Sequence, residues 1–200
     1  MWVIDFLSLI CFAISGGTVA ARKGFDWFGI SAMAFLTAVG GGTIRDLLIG
    51  ATPSWIVDPT LCYGTVIGVI ITIAAFKLVL KMQKTLTLFD AMAISLAAVA
   101  GTAKSLEYGA SIPAAVILGV VTATLGGVIR DTICNEVPLI LQKEIYATAC
   151  LFGGLLFAML MKYGVTEIVA SWVSIGIIFT IRIVAFKFKI ALPGVRNTSV

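Results

Sequence analysis

Histidine is absent from all 200 residues. That removes histidine-based acid–base catalysis, imidazole metal sites and the usual switch near neutral pH. Charge is scarce as well: Asp, Glu, Lys and Arg make up 12% of the chain, against roughly 25% in soluble domains. Cysteine occurs only as Cys11, Cys62, Cys134 and Cys150, scattered through apolar sequence without Cys-x-x-Cys spacing. These read as small buried thiols and not as metal or disulfide partners. No nucleophile–base pair and no cluster of metal-ligand carboxylates stands out. The chain is therefore not read as an enzyme, and no cofactor or metal is expected.

What fills the chain instead is apolar. Hydrophobic residues make up 60% of it, and the mean hydropathy is +1.10. A soluble core does not need so much apolar surface, so the expected class is an all-α integral membrane protein. The net charge of +4 is spread over the ends of apolar runs and forms no single patch, which excludes a nucleic-acid partner. The N-terminal run lacks a basic leader and carries Asp5, and its positive charges, Arg22 and Lys23, come after it. A retained first span fits that order better than a signal peptide.

At about 20 apolar residues per crossing, the sequence divides into seven spans: 2–21, 27–49, 60–80, 87–106, 112–134, 145–162 and 167–186. The segment Gly40-Gly41-Gly42-Thr43-Ile44-Arg45-Asp46 stands out inside the second span. It recurs in the fifth as Gly126-Gly127-Val128-Ile129-Arg130-Asp131, at an offset of 131 − 46 = 85 residues. The same offset pairs Asp5 with Asp90, Gly16 with Gly101, Gly24 with Gly109, Thr37 with Thr122, Pro53 with Pro138 and Gly68 with Gly153, all without a gap. Residues 1–85 and 86–166 thus read as one three-helix unit, duplicated, and 167–200 as a seventh helix and tail. Three spans is an odd number, so the second copy enters the membrane from the opposite side and the repeat is inverted.

Loop charge sets the orientation. One side carries Arg22, Lys23, Lys77, Lys81, Lys84, Lys143, Lys187, Lys189 and Arg196, and the other only Lys104 and Lys162. By the positive-inside rule the N-terminus is expected outside and the C-terminus in the cytoplasm.

Glycine weakens a helix by about 1 kcal/mol relative to alanine, so clustered glycines mark a bend, a break or a close backbone approach. A charge near the bilayer centre costs roughly 2.5–3.5 kcal/mol, so Arg45, Asp46, Arg130 and Asp131 must be paired, wet or near the interface. Adjacent helical residues point about 100° apart, which disfavours pairing within each Arg-Asp. The expected partners are therefore Asp5 for Arg45 and Asp90 for Arg130. Asp46 and Asp131 are then left free to face a water-filled path. Thr37 and Thr122 either line that path or bond their own backbone. Lys104, opposite Val19 in the repeat, reads as a snorkelling side chain or as a charged plug at an outer mouth. Arg182 reads as snorkelling, and Phe25, Trp27, Trp55, Trp172 and Tyr63 as interfacial anchors. Blander readings stand beside these: glycines that permit tight packing, an interfacial Arg-Asp latch, and Asp5 and Asp90 as favourable charges at helix N-termini.

The segments Gly40–Asp46 and Gly126–Asp131, in two three-span repeats followed by a seventh span, resemble the prokaryotic branch of the trimeric intracellular cation channel family over about residues 1–186. The resemblance implies a homotrimer in the inner (plasma) membrane with a separate path through each protomer, conducting K⁺ and Na⁺. It also implies that spans 2 and 5 kink at their glycines and surround the pore together with spans 1 and 4. Membrane lipid is the other partner. The lysine-containing motif of animal members has no match here, so neither lipid regulation nor calcium physiology carries over. Some relatives are labelled glycine transporters, and the second reading is a carrier for a small neutral solute such as glycine. In the leading reading Asp46 and Asp131 attract cations, while Arg45 and Arg130 narrow or gate the path. No Thr-Val-Gly-Tyr-Gly filter is present, so K⁺/Na⁺ discrimination is expected to be weak.

Overall fold

Inside lipid the backbone must satisfy its own hydrogen bonds, which drives each long apolar run into a helix. The computed structural model describes residues 1–76, 83–142 and 145–191. Among them run α1 (Trp2–Arg22), α2 (Trp27–Leu48), the short α3 (Ser54–Val57), α4 (Thr60–Ala74), α5 (Gln83–Glu107), α6 (Ile112–Ile133), a 3-10 turn (Leu139–Leu141), α7 (Ala147–Lys162) and α8 (Glu167–Phe188). The chain is all-helical and multi-pass. Five segments are long and apolar enough to cross a bilayer: α1, α2, Leu86–Glu107 of α5, α6 and α8. Helices α4 and α7 are apolar but have only 15 and 16 residues. The end of the third expected span, and Lys77, Lys81, Lys143 and Arg196 of the charge argument, lie outside the described residues.

Chain reversals repeat at the 85-residue offset. Gly24 and Gly109 take φ of 77° and 81°, and Gly50 and its counterpart Asn135 take 71° and 54°. In each case the next N–H returns to the last helical turn: Phe25 to Ala20, Ala110 to Ser105, Ala51 to Asp46 and Glu136 to Asp131. A left-handed residue at this place closes a helix by satisfying its last carbonyls, and glycine or asparagine adopts it at least cost.

Helix α1 packs on α2, α4 and α5; α5 packs on α6, α7 and α8; and α2 lies against α6. The seams are built from small residues such as Ala13, Ala20, Ala34, Ala93, Ala98 and Ala123, all fully buried. Small side chains let membrane helices approach closely enough for dispersion contacts to hold them. The outward surface is the reverse of a soluble protein's, with Phe28, Ile70, Ile117, Phe152 and Val169 all exposed. Such a surface suits lipid.

Candidate functional site

The centre of the molecule is the crossing of α2 and α6. A Cβ on Gly41 would meet the carbonyl oxygen of Thr122, and a Cβ on Gly126 would meet the carbonyl oxygen of Thr37. The two contacts are reciprocal, since 41 + 85 = 126 and 37 + 85 = 122. The same threonines face α1 and α5, where their side chains fill the space beside Gly16 and Gly101. Gly40 likewise receives the Ile129 side chain. Both helices run through their glycines without a break, and the close backbone approach offered by the clustered glycines is present. The threonine hydroxyls do not point to a ligand. Thr37 donates to Met33 O at 2.6 Å and Thr122 to Leu118 O at 2.7 Å, the self-bonding typical of threonine within a helix.

At one end of this crossing stands Asp46. Its Oδ1 accepts from Arg45 Nε at 2.9 Å and Nη2 at 2.8 Å, and from Lys104 Nζ at 2.9 Å. Its Oδ2 accepts from the Ser54 backbone N–H at 2.9 Å and the Ser54 hydroxyl at 3.1 Å. Lys104 also donates to Ser54 Oγ at 2.6 Å. Three sequence expectations are corrected here. Arg45 and Asp46 do pair, because the long guanidinium arm folds back over the 100° between neighbours. Asp5 makes no ion pair within 4.0 Å among the described residues. It lines the same cavity as Arg45, but the nearer carboxylate holds that guanidinium. Lys104 turns inward to Asp46 and does not snorkel.

Trp55 is also reassigned. Its ring meets Phe35 edge-on at 5.5 Å, and its Nε1 donates to Thr43 Oγ1 at 3.0 Å. Helix α3 thereby becomes a lid over a cavity of about 50 Å³ lined by Asp5, Gly42, Arg45, Asp46, Ser54 and Thr122, among others. That is room for one or two water molecules at roughly 30 Å³ each.

The other end repeats the plan with different partners. Arg130 Nε donates to Asp131 Oδ1 at 2.7 Å, and Nη1 donates to Asp90 Oδ1 at 2.8 Å and to the Ser15 hydroxyl. The Asp90–Arg130 pair expected from the sequence is thus present, with both side chains buried. Asp131 is not free either: its Oδ2 accepts from the Leu139 N–H at 3.1 Å. Since 54 + 85 = 139, each aspartate holds the first N–H of the short helix that follows its proline. Val19 of the first repeat stands where the second has Lys104, and among the described residues no lysine pairs with Asp131. A cavity of about 200 Å³ opens here, lined by Arg130, Asp131, Glu136 and Leu139 with Arg22 and Lys23. Lys23 and Glu136 form an ion pair at its rim. Arg182 does not snorkel; it is 1% exposed, lies 4.6 Å over the Tyr146 ring and donates to Ile145 O at 2.7 Å.

Sequence reasoning missed Ser54, Ser15 and Tyr146. The matched prolines at 53 and 138 were the available signal for the two lids. Nothing in the sequence marked backbone N–H groups as partners of the aspartates.

The family model described as Glycine transporter matches this chain twice, at residues 2–77 and 87–162, and 87 − 2 = 85. The UPF0126 inner membrane protein YadS of Escherichia coli K12 is 34% identical over 193 residues, covering 95% of this chain and 93% of its own. A solved structure described as the structural basis for conductance through TRIC cation channels superposes with a TM-score of 0.87 at 33% identity, over 100% of this chain and 99% of that one. The TRIC trimeric intracellular cation channel orthologue from Rhodobacter sphaeroides gives 0.86 at 35% identity, over 94% and 97%. The chain belongs to this glycine-transporter family of UPF0126 membrane proteins, and its fold is that of the prokaryotic trimeric intracellular cation channels.

Proposed function

We propose that this chain is a passive monovalent-cation channel, carrying K⁺ and Na⁺ through each protomer of a homotrimer in the inner membrane. The path runs between the two halves, from the Asp46 cavity past the Gly41–Gly126 crossing to the Asp131 cavity. One observation carries the reading: matched polar cavities flank a crossing at which two glycines let the backbones of α2 and α6 touch. The 85-residue offset, the reciprocal crossing and the double family match support two inverted three-helix repeats plus a seventh helix, and the loop charges support an N-terminus outside and a C-terminus in the cytoplasm. The likeness to cation channels supports conduction of cations.

In this reading the aspartates draw cations to each mouth, with Asp5 and Asp90 adding negative charge beside them. Arg45, Arg130 and Lys104 hold the carboxylates and narrow the way. Gly40, Gly41, Gly42, Gly126 and Gly127 let the walls shift, and Thr37 and Thr122 fix the crossing. The description of the matching family is the ground for a second reading, alternating access for glycine. Purified protein in a planar bilayer decides between them: unitary cation currents support the channel, and saturable uptake of labelled glycine without unitary current supports the carrier.

A further inference from the structure

The two ends of the molecule carry matched residues but unequal cavities. At the Arg45 end the cavity passes the Arg-Asp pair and reaches Gly42, Ala38, Phe12 and Thr122. At the other end it touches Arg130, Asp131 and Leu139 but stops short of Gly127. Among the lining positions that differ between the halves, such as Thr43 against Val128 and Trp55 against Ile140, one stands against the glycines. Leu61 lines the first cavity beside Gly42, and its counterpart is Tyr146, since 61 + 85 = 146. The Tyr146 hydroxyl stands 3.3 Å from the point where Gly127 would carry a Cβ, and Arg130 Nη2 stands 3.6 Å from that point. The space left by a missing side chain is filled by a phenol from the start of α7.

The ring is braced from behind by Arg182 of α8, 4.6 Å above it, a residue from the helix that has no counterpart in the repeat. Tyr146 is 2% exposed, and its hydroxyl has no hydrogen-bond partner among the described residues. A buried hydroxyl without a partner is costly, and water that reaches Gly127 supplies one. We propose that Tyr146 closes the path at the Arg130 end, as a plug seated against Gly127 and held by Arg182. The proposal rests on the channel reading. With the ring displaced, the Arg130 cavity extends to the glycine crossing, as the Arg45 cavity already does.

The test compares wild type, Tyr146→Leu, Tyr146→Phe and Leu61→Tyr, in planar bilayers and by hydrogen–deuterium exchange in detergent. Leucine copies the opposite end, and its mean current exceeds wild type by about tenfold or more, as expected when a state populated at roughly 0.1–10% becomes dominant. Phenylalanine fills the gap without the hydroxyl and passes no more current than wild type. Leu61→Tyr adds a second plug and lowers the current. Exchange reads the plug without any current: residues 122–130 exchange faster in Tyr146→Leu, while their counterparts 37–45 do not change. Equal current in wild type and Tyr146→Leu overturns the proposal, as does a rise in exchange at both segments, which reports general loosening. Where no variant conducts, exchange alone decides: a rise confined to 122–130 keeps the plug while the channel reading falls, and no rise overturns both.

Discussion

The carbonyl oxygen of Thr122 occupies the space that a Cβ on Gly41 would fill. With Thr37 and Gly126 in the reciprocal relation, α2 and α6 meet backbone to backbone at one shared point. The two halves are held in register there, and the polar ends lie on either side of it.

Alanine at Gly41 or Gly126 therefore wedges the crossing apart. Overpacking of this kind costs about 1–3 kcal/mol, and each variant lowers the unfolding temperature of the purified protein in detergent. Gly176→Ala is the control. Nothing lies within 4 Å of its added Cβ, so it leaves the temperature unchanged or raises it, since alanine favours a helix by about 1 kcal/mol.

Asp90 and Arg130 are each fully buried, and removing one partner of such a pair strands the other. Asp90→Ala is expected to cost about 3–5 kcal/mol. Adding Arg130→Met costs less than the sum of the single changes, with a coupling of about 0.5–3 kcal/mol. Purely additive losses in the double-mutant cycle contradict the pairing.

The class, the long spans, the 85-residue register and the Asp90–Arg130 pair were legible because they follow from hydropathy and from matched residue types. The fate of Asp5 was not. Whether Arg45 reaches across to Asp5 or folds back on Asp46 depends on Lys104 and Ser54, which come from α5 and α3, outside the helix that carries it. The glycines were legible as a cluster but not as a contact, because the group that needs their space is a carbonyl with no side-chain signature. Trp55 and Arg182 went astray for a related reason: both sit where an amphipathic side chain ordinarily meets the lipid surface, and only tertiary packing turns them inward.

Lys104 neutralises Asp46 at 2.9 Å, whereas Val19 stands at the matching place beside Asp131 and no lysine pairs with it among the described residues. Lys104→Val gives both ends the same residue. In a KCl gradient its reversal potential moves toward the K⁺ equilibrium value, and that of Asp46→Asn with Asp131→Asn moves away from it. Unshifted potentials in both remove these carboxylates as the source of cation preference.

Asp58 anchors the far end of the α3 lid. It accepts from Trp2 Nε1 at 2.9 Å and from the Thr60 N–H at 3.0 Å, and hydrogen bonds from Thr60 and Trp2 hold its carboxyl below the usual range. A folded-state value below the unfolded one means the anchor contributes at neutral pH and is lost as the pH falls through and below the ordinary carboxylate range. Trp2 emission, taken as the difference from Trp2→Phe, shifts over that acid range. Asp58→Asn abolishes the shift.

The most direct measurement is the current carried by the purified wild-type protein in a bilayer under a KCl gradient. Unitary steps that reverse on the K⁺ side of zero are the predicted result. Saturable glycine uptake with no unitary steps would contradict a cation path between the two halves.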